Sequence, residues 1–214
     1  MIQILPAVLE KTEEEYKQTI EKIKQSESFQ EGWIHIDFAD NKFVPNKLVG
    51  VDIVAKYPLG LNKEAHLMVA HPLKWLEDLK KAEFKRVIFH YESKDDVEEC
   101  IDKIKELGME VGVALNIDTT IEKLEPFKDK IDLVLIMSIV PGFQGQPFLP
   151  AALDKIRELK GKNWSARISI DGAVKDENVR GIVKSGVDQM GVGSFLVKGN
   201  IDENLERLWE AINV

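Results

Sequence analysis

Eight short apolar runs recur along the chain, and segments with helical periodicity separate them. In the helical segments apolar residues recur every three or four positions, as Val97, Ile101, Ile104 and Leu107 do before Gly108. The eight runs predict strands at residues 2–8, 33–39, 65–69, 86–91, 110–115, 133–139, 168–170 and 190–197. Nearly continuous apolar strands that alternate with helices are typical of a buried parallel sheet. Because each unit has about 27 residues, the pattern favours an α/β fold, a (β/α)8 TIM barrel, over an open doubly wound sheet.

Composition and charge narrow the class of protein. The chain has 214 residues, of which 44% are hydrophobic, and no Pro/Gly/Ser-rich linker interrupts it, so we expect a single domain over residues 1–214. Its net charge of -8 disfavours nucleic acid and anionic membranes as partners. The single Cys100 excludes an internal disulfide, and the first residues lack the features of a signal peptide. Because no stretch approaches transmembrane length, a cytoplasmic protein is expected.

The second predicted strand ends with an imidazole and a carboxylate side by side. Because side chains alternate along a strand, His35 and Asp37 project from the same face. Turn-forming residues from Asp40 to Asn46 end the strand just after this pair. Barrel enzymes place their catalytic groups at such strand-to-loop boundaries. A lone pair of this kind is more often a buried structural pair, so its interpretation depends on the other strands.

Two further strands end in residues of the same chemistry. His66 lies in the third predicted strand, and Asp171 follows the seventh. The carboxyl ends of barrel strands meet at one mouth, so His35, Asp37, His66 and Asp171 would converge there. Two imidazoles and two carboxylates suit one divalent metal ion, namely Zn, Mn, Fe(II) or Co, with positions left open for a substrate. The sequence therefore predicts a metal site that depends on the barrel.

The order of the strands also suggests a reaction. In a closed ring, strands one and eight separate strands two and seven, so Asp37 and Asp171 would face the cavity from nearly opposing walls. Two such carboxylates can remove a proton from one face of a carbon next to a carbonyl and return a proton to the other face. A bound divalent ion would stabilise the enediolate between these steps. The arrangement predicts inversion at a carbon atom.

Glycine-bearing segments after the later strands indicate a phosphate site. The chain reads Pro-Gly-Phe-Gln-Gly-Gln at 141–146, ahead of a helix expected to start near Pro147, and Gly-Val-Gly-Ser at 191–194. Backbone N–H groups of such loops, with a helix N-terminus, form the usual phosphate cradle of a barrel. Loop glycines are common, so this signal is weak on its own. Neither a dinucleotide-binding Gly-x-Gly-x-x-Gly motif nor a phosphate loop of the Gly-x-x-x-x-Gly-Lys-Ser/Thr type occurs in the chain.

Six segments, in order along nearly the whole chain, resemble the ribulose-phosphate 3-epimerase family. They read His-Ile-Asp-Phe-Ala-Asp-Asn-Lys-Phe-Val-Pro-Asn at 35–46, His-Leu-Met-Val at 66–69, His-Tyr-Glu at 90–92, Met-Ser-Ile-Val-Pro-Gly-Phe-Gln-Gly-Gln at 137–146, Asp-Gly at 171–172 and Gly-Ser at 193–194. The resemblance implies a metal-dependent isomerase, an epimerase that interconverts D-ribulose 5-phosphate and D-xylulose 5-phosphate in the pentose phosphate pathway. It also implies a homo-oligomer whose ligand is a small sugar phosphate.

The resemblance assigns roles to individual residues. It implies that His35, Asp37, His66 and Asp171 bind the metal ion, that Asp37 accepts the proton and that Asp171 donates one. These roles are exchanged in the reverse direction. The residues that it places against the substrate and its phosphate are His66, Met68, Met137, Gly142, Phe143, Gln144, Gly145, Gly172, Ala173, Gly193 and Ser194. For the two methionines, core packing is an equally good interpretation.

The sequence departs from the family pattern at four positions. Ala7 replaces a serine expected to contact the substrate, and one such hydrogen bond is worth about 0.5 to 1.5 kcal/mol. Ala39 replaces a methionine, and Asn41 replaces a turn glycine. Ala173 replaces the second glycine of an Asp-Gly-Gly triplet, where a methyl group is unfavourable if φ is positive. Because none of these is a proposed ligand or acid/base group, we expect the chemistry to be retained, with weaker activity or a shifted substrate preference.

Other functions stay open at this point. An epimerase of this kind could act on a six-carbon or four-carbon ketose phosphate. A related aldolase or decarboxylase barrel is disfavoured, because Asp37-Phe-Ala-Asp40 lacks the lysine of an Asp-x-Lys-x-x-Asp motif. A catalytically silent barrel would bind a sugar phosphate without exchanging the hydrogen at C3 with solvent.

Overall fold

The strands of the protein form one closed barrel. A computed structural model describes residues 2–142 and 145–214. The strands are β1 (Gln3–Val8), β2 (Trp33–Ala39), β3 (Asn62–Met68), β4 (Phe84–His90), β5 (Glu110–Leu115), β6 (Leu133–Met137), β7 (Arg167–Asp171) and β8 (Gln189–Val192). Each strand pairs in parallel with the next, and β8 pairs with β1. The predicted (β/α)8 TIM barrel is therefore confirmed.

Helices follow most of the strands and form the outer layer. They are α1 (Glu13–Gln25), α2 (Val51–Lys56), α3 (Leu76–Lys81), α4 (Val97–Glu106), α5 (Ala151–Gly161), α6 (Asp176–Ser185), α7 (Ser194–Val197) and α8 (Ile201–Asn213), with 3₁₀ helices at Pro72–Lys74 and Ile121–Phe127. Local sequence sets several of their ends. Thr12 and Glu15 form a capping box at the start of α1. Gly108, at φ 69°, follows the last turn of α4, as the sequence predicts.

The alternation of side chains along each strand divides the interior into two regions. On β2, Ile34, Ile36 and Phe38 belong to the main hydrophobic core, which also contains the apolar faces of the helices. His35 and Asp37 lie on the opposite face, toward the barrel axis, and both are buried. The outward face of the strand therefore anchors the helices, and the inward face is free to carry polar groups.

The structure corrects several boundaries predicted from the sequence, and one connection lacks an α-helix. The eighth strand ends at Val192, and the apolar residues after it form the short helix α7 instead of continuing the strand to 197. The helix expected near Pro147 starts at Ala151. After β5 the chain forms only the 3₁₀ helix, which contains Pro126, a residue that lacks the N–H needed for a longer α-helix. Within the described residues, no helix has the length and apolar character needed to cross a membrane.

Candidate active site

Four side chains converge at the carboxyl ends of the strands. His35 and Asp37 come from β2, His66 from β3 and Asp171 from the end of β7, and each offers one ligand atom within 4.8 Å of the others. The register brings Asp37 beside His66 on neighbouring strands. Asp171 reaches the same point from the far side of β1 and β8. The four residues predicted as ligands thus form one candidate metal-binding cluster.

The contacts of His35 fit a metal ion. Its Nδ1 lies 2.6 Å from Oε1 of Glu64, so a proton on Nδ1 is donated to that carboxylate. Its Nε2 lies 3.3 Å from Oδ1 of Asp37 and makes no hydrogen bond within the described residues, although it is buried. A buried imidazole nitrogen without a hydrogen bond, next to carboxylate oxygens, is the donor expected of a metal ligand whose other nitrogen is held by an acceptor.

His66 is held from both sides of its ring. Its Nδ1 lies 2.7 Å from Oδ1 of Asp37, and its Nε2 lies 2.9 Å from Nε2 of His90. The Nδ1 of His90 in turn lies 3.3 Å from Glu92, which accepts hydrogen bonds from the Asn116 backbone N–H and the Thr119 hydroxyl. The ring of His66 is therefore fixed in orientation by Asp37 within the cluster and by His90, which lies outside it.

The two carboxyl groups of the cluster differ in pKa. Burial raises the pKa of Asp171 to about 6, and the nearby charge of Asp37 adds to this effect. Burial also acts to raise the pKa of Asp37, but the charges and hydrogen bonds of His35 and His66 outweigh it and lower that pKa below its usual range. Two carboxyl groups with separated pKa values can divide the roles of acid and base between them.

The surroundings of Asp171 leave it little freedom to move. A Cβ at Gly191 would lie 3.1 Å from Oδ1 of Asp171, so the carboxylate occupies space that only a glycine leaves open. The hydroxyl of Ser138 donates to the backbone carbonyls of Asp171 (2.9 Å) and Gly172 (2.6 Å). At Gly172 φ is 114°, and a Cβ there would meet Ile139 at 2.6 Å. These contacts fix the chain at the end of β7.

A cavity opens beside the cluster. It measures about 590 Å³, counting the space open to solvent, and both Asp37 and Asp171 line it. Five of the residues predicted to contact substrate line it as well, namely Gly145, Gly172, Ala173, Gly193 and Ser194. They come from the loops after β6, β7 and β8. Backbone N–H groups near an open cavity are suited to bind an anion.

The other predicted substrate contacts lie elsewhere or outside the described residues. Met68 is buried in a small cluster with Ala39, Val44 and Leu48, and Met137 packs with aliphatic side chains inside the barrel. Gly142 has φ 111°, and a Cβ there would lie 2.8 Å from Val44. Its carbonyl accepts a hydrogen bond of 2.6 Å from the buried side chain of Asn46, which ties the loop after β6 to the loop after β2. Phe143 and Gln144 lie outside the described residues.

Several residues of the site were not identified from the sequence. Glu64 contacts His35, and Ser138 holds the end of β7. Lys175, with its side chain half-exposed, lines the cavity next to the glycine loops. Glu64 lies two positions before His66, so the alternation of strand side chains was the signal that could have placed it on the inward face.

Comparison with known proteins finds relatives named ribulose-phosphate 3-epimerase. The sequence profile of the Ribulose-phosphate 3 epimerase family matches residues 3–197. The chain is 35% identical over 173 residues to ribulose-phosphate 3-epimerase of Chlamydia muridarum, an alignment that covers 77% of this chain and 76% of the relative. It is 34% identical over 178 residues to the enzyme of the same name from Schizosaccharomyces pombe, covering 81% and 78%. For that of Escherichia coli K12 the identity is 33% over 170 residues, or 76% of each chain.

Solved structures share the fold at lower sequence identity. A 3-hexulose-6-phosphate synthase from Salmonella typhimurium superposes with a TM-score of 0.72 at 16% identity and 99% coverage of both chains. A variant tryptophan synthase α-subunit from Pyrococcus furiosus gives 0.71 at 16% identity, covering 99% of this chain and 98% of that one. At this identity the likeness supports the barrel alone, because one barrel fold hosts many chemistries.

Proposed function

Because the chain belongs to the ribulose-phosphate 3 epimerase family, we propose that it is a metal-dependent enzyme that inverts C3 of D-ribulose 5-phosphate to give D-xylulose 5-phosphate. One observation of this chain carries the proposal. Asp37 and Asp171 reach one cavity from strands that β1 and β8 separate. A substrate bound between them would have a carboxylate on each face of the carbon that is inverted.

The proposed reaction transfers a proton on each side of the substrate. Asp37, the carboxyl group with the lowered pKa, takes the proton from C3 in one direction. Asp171, the group with the higher pKa, returns a proton to the opposite face. In the reverse direction the two residues exchange roles. Asp37 is buried and Asp171 is partly buried, which limits the access of water to the carbon while it lacks its proton.

His35, Asp37, His66 and Asp171 would hold one divalent metal ion, for which two imidazoles and two carboxylates suit Zn, Fe(II), Mn or Co. When bound, the ion would stabilise negative charge on the substrate oxygens next to C3. The buried Nε2 of His35, which makes no hydrogen bond within the described residues, supports this ligand set.

The phosphate would lie at the loops after β6, β7 and β8. Gly172, Ala173, Gly193 and Ser194 line the cavity, and their backbone N–H groups would bind the phosphate oxygens. Lys175, the residue just before α6, lines the same wall and supplies a positive charge there. In a chain with a net charge of -8, local groups of this kind are needed to hold an anionic substrate.

The decisive experiment uses purified protein with added Mn, Zn, Fe(II) or Co and D-ribulose 5-phosphate in deuterated water. We expect D-xylulose 5-phosphate to form with deuterium at C3. Binding without either product or label would refute catalysis and favour the silent sugar-phosphate-binding barrel.

A different ketose phosphate is the second candidate, because Ala7 presents a methyl group at the cavity wall where the family resemblance leads us to expect a hydroxyl. The same assay with six-carbon and four-carbon ketose phosphates tests it. A larger kcat/KM for either of these than for ribulose 5-phosphate would replace the five-carbon assignment. The family resemblance also leads us to propose a homo-oligomer, which analytical ultracentrifugation tests.

A further inference from the structure

A second layer of polar side chains lies inside the barrel, below the candidate metal cluster. Glu64 on β3, Arg86 on β4 and Gln189 on β8 are exposed by no more than 1%. Charged residues are almost never fully buried unless they are paired, so such a layer needs an explanation. The strand register orders it, since Glu64 pairs with His35 on one side and with Arg86 on the other.

The contacts run in a chain from Arg86 to the cluster. Oε1 of Glu64 lies 2.6 Å from Nδ1 of His35, and Oε2 accepts a hydrogen bond from Nη1 of Arg86. Gln189 joins both residues, because its Nε2 lies 3.2 Å from Oε2 of Glu64 and its Oε1 accepts from Nη1 of Arg86 at 3.1 Å. The carboxylate of Glu64 therefore has one orientation that satisfies all its partners.

Arg86 is itself held on two further sides. Its Nε donates to Glu110 at 2.8 Å, and its guanidinium stacks on the ring of Trp33 at 4.1 Å from the centroid. A planar guanidinium fixed in this way is a rigid support for a carboxylate, unlike a lysine ammonium. Its Nη2 is buried without a hydrogen-bond partner among the described residues.

We propose that Glu64 and Arg86 are positioning residues for the metal site. Glu64 accepts the Nδ1 proton of His35 and thereby leaves Nε2 free and aimed at the cluster, and Arg86 acts through Glu64 by fixing its carboxylate. A buried ion pair is weak support for stability as such, because the desolvation of both charges offsets their attraction. An acceptor behind a metal-binding imidazole, by contrast, sets which nitrogen meets the metal. This inference rests on the metal site of the proposed function.

The first test measures the affinity of the full chain for Zn²⁺ by competition with a chelating dye. Removal of a group that orients a metal-binding histidine weakens affinity by about 10- to 100-fold, which is the expected result for Glu64→Gln and for Arg86→Met. In the double variant the Arg86 change should add nothing to the effect of Glu64→Gln, because Arg86 acts only through Glu64. Additive losses, or a folded Glu64→Gln protein with unchanged affinity, would overturn the proposal.

Arg167→Met is the matched control. Arg167 contacts Glu110 at 2.5 Å at the outer end of the same network but makes no contact with Glu64, and it is partly exposed. Because an exposed ion pair contributes little, we expect its Zn²⁺ affinity to stay within about twofold of the unmutated protein. A loss equal to that of Arg86→Met would assign the effect to the network as a whole and overturn the role given to Glu64.

The second test needs no substitution and stays valid if the variants do not fold. Nitrogen-15 NMR of the Zn²⁺-loaded protein should show a proton on Nδ1 of His35 and the metal at Nε2. Zinc bound at Nδ1 would refute the proposal. If the protein binds no Zn²⁺, the metal site of the proposed function fails separately. Nitrogen-15 spectra of the metal-free protein then test the contact with Glu64 alone: a hydrogen-bonded proton on Nδ1 of His35 is expected, and an Nδ1 without a proton is the contrary result.

Discussion

Ala173 has a φ of 50°, in the left-handed region, at the point where the chain leaves β7 and lines the cavity. A residue with a Cβ is disfavoured there by about 1 to 2 kcal/mol. Glycine avoids this strain but raises the entropy of the unfolded chain, which offsets about 0.4 to 1 kcal/mol of the gain. We therefore expect Ala173→Gly to raise the free energy of unfolding by about 0.8 kcal/mol, the middle of a range from about 0 to 1.6 kcal/mol. For a chain of this length, that corresponds to a Tm higher by about 1 to 4 °C.

Equilibrium unfolding in urea, followed by circular dichroism, measures this difference. Ala39→Gly is the control, because Ala39 is buried in β2 and is not among the residues with positive φ. There the same change removes a packed methyl group and relieves no strain, so stability should fall. If Ala173→Gly destabilises the protein as much as Ala39→Gly does, the strain assigned to residue 173 is absent.

Three further changes test the site. Asp171→Asn should lower kcat by at least about 100-fold and leave the far-ultraviolet circular dichroism spectrum unchanged, because it removes one of the two proton-transfer groups; an active variant would refute the two-carboxylate scheme. In Gly191→Ala the added methyl group should displace the Asp171 carboxylate, so kcat/KM should fall by about tenfold. Gly161→Ala is the control, because a Cβ there meets nothing within 4 Å, and its kcat/KM should be unchanged. Ala7→Ser should raise kcat/KM by about two- to tenfold if its hydroxyl contacts the substrate; a decrease would show that the wall at Ala7 fits a different ligand.

The barrel could be predicted from the sequence because each strand is a distinct apolar run. Where a run was short and followed by more apolar residues, the prediction failed: Ser194–Val197 is a helix, although it was assigned to the eighth strand. Periodicity cannot distinguish strand from helix over four residues. The late start of α5 at Ala151 has a similar origin, since Pro147 fits a first helical turn but does not require one.

The candidate metal-binding cluster was predictable because its members lie near the carboxyl ends of strands, and these ends must meet. The contacts within the layer of polar side chains beneath it could not be predicted. Glu64 contacts Arg86 and His35 only because of the register between strands, which decides the neighbours of each inward residue. Alternation along a strand places Glu64 on the inward face, but it does not identify the residue opposite it on the neighbouring strand. Met68 and Met137 show the same limit, because their residue type fits both a cavity wall and the packed interior where they lie.

The hydrogen bond from Asn46 to the carbonyl of Gly142 joins two loops that are 96 positions apart in sequence. One follows the strand that carries Asp37, and the other leads into Gly145 at the cavity wall. Their conformations are therefore coupled, because a movement of either loop alone would break this hydrogen bond. Either loop should therefore be replaced by that of a relative only together with the other. A new loop after β6 alone would leave the buried side-chain amide of Asn46 without its acceptor, the carbonyl of Gly142.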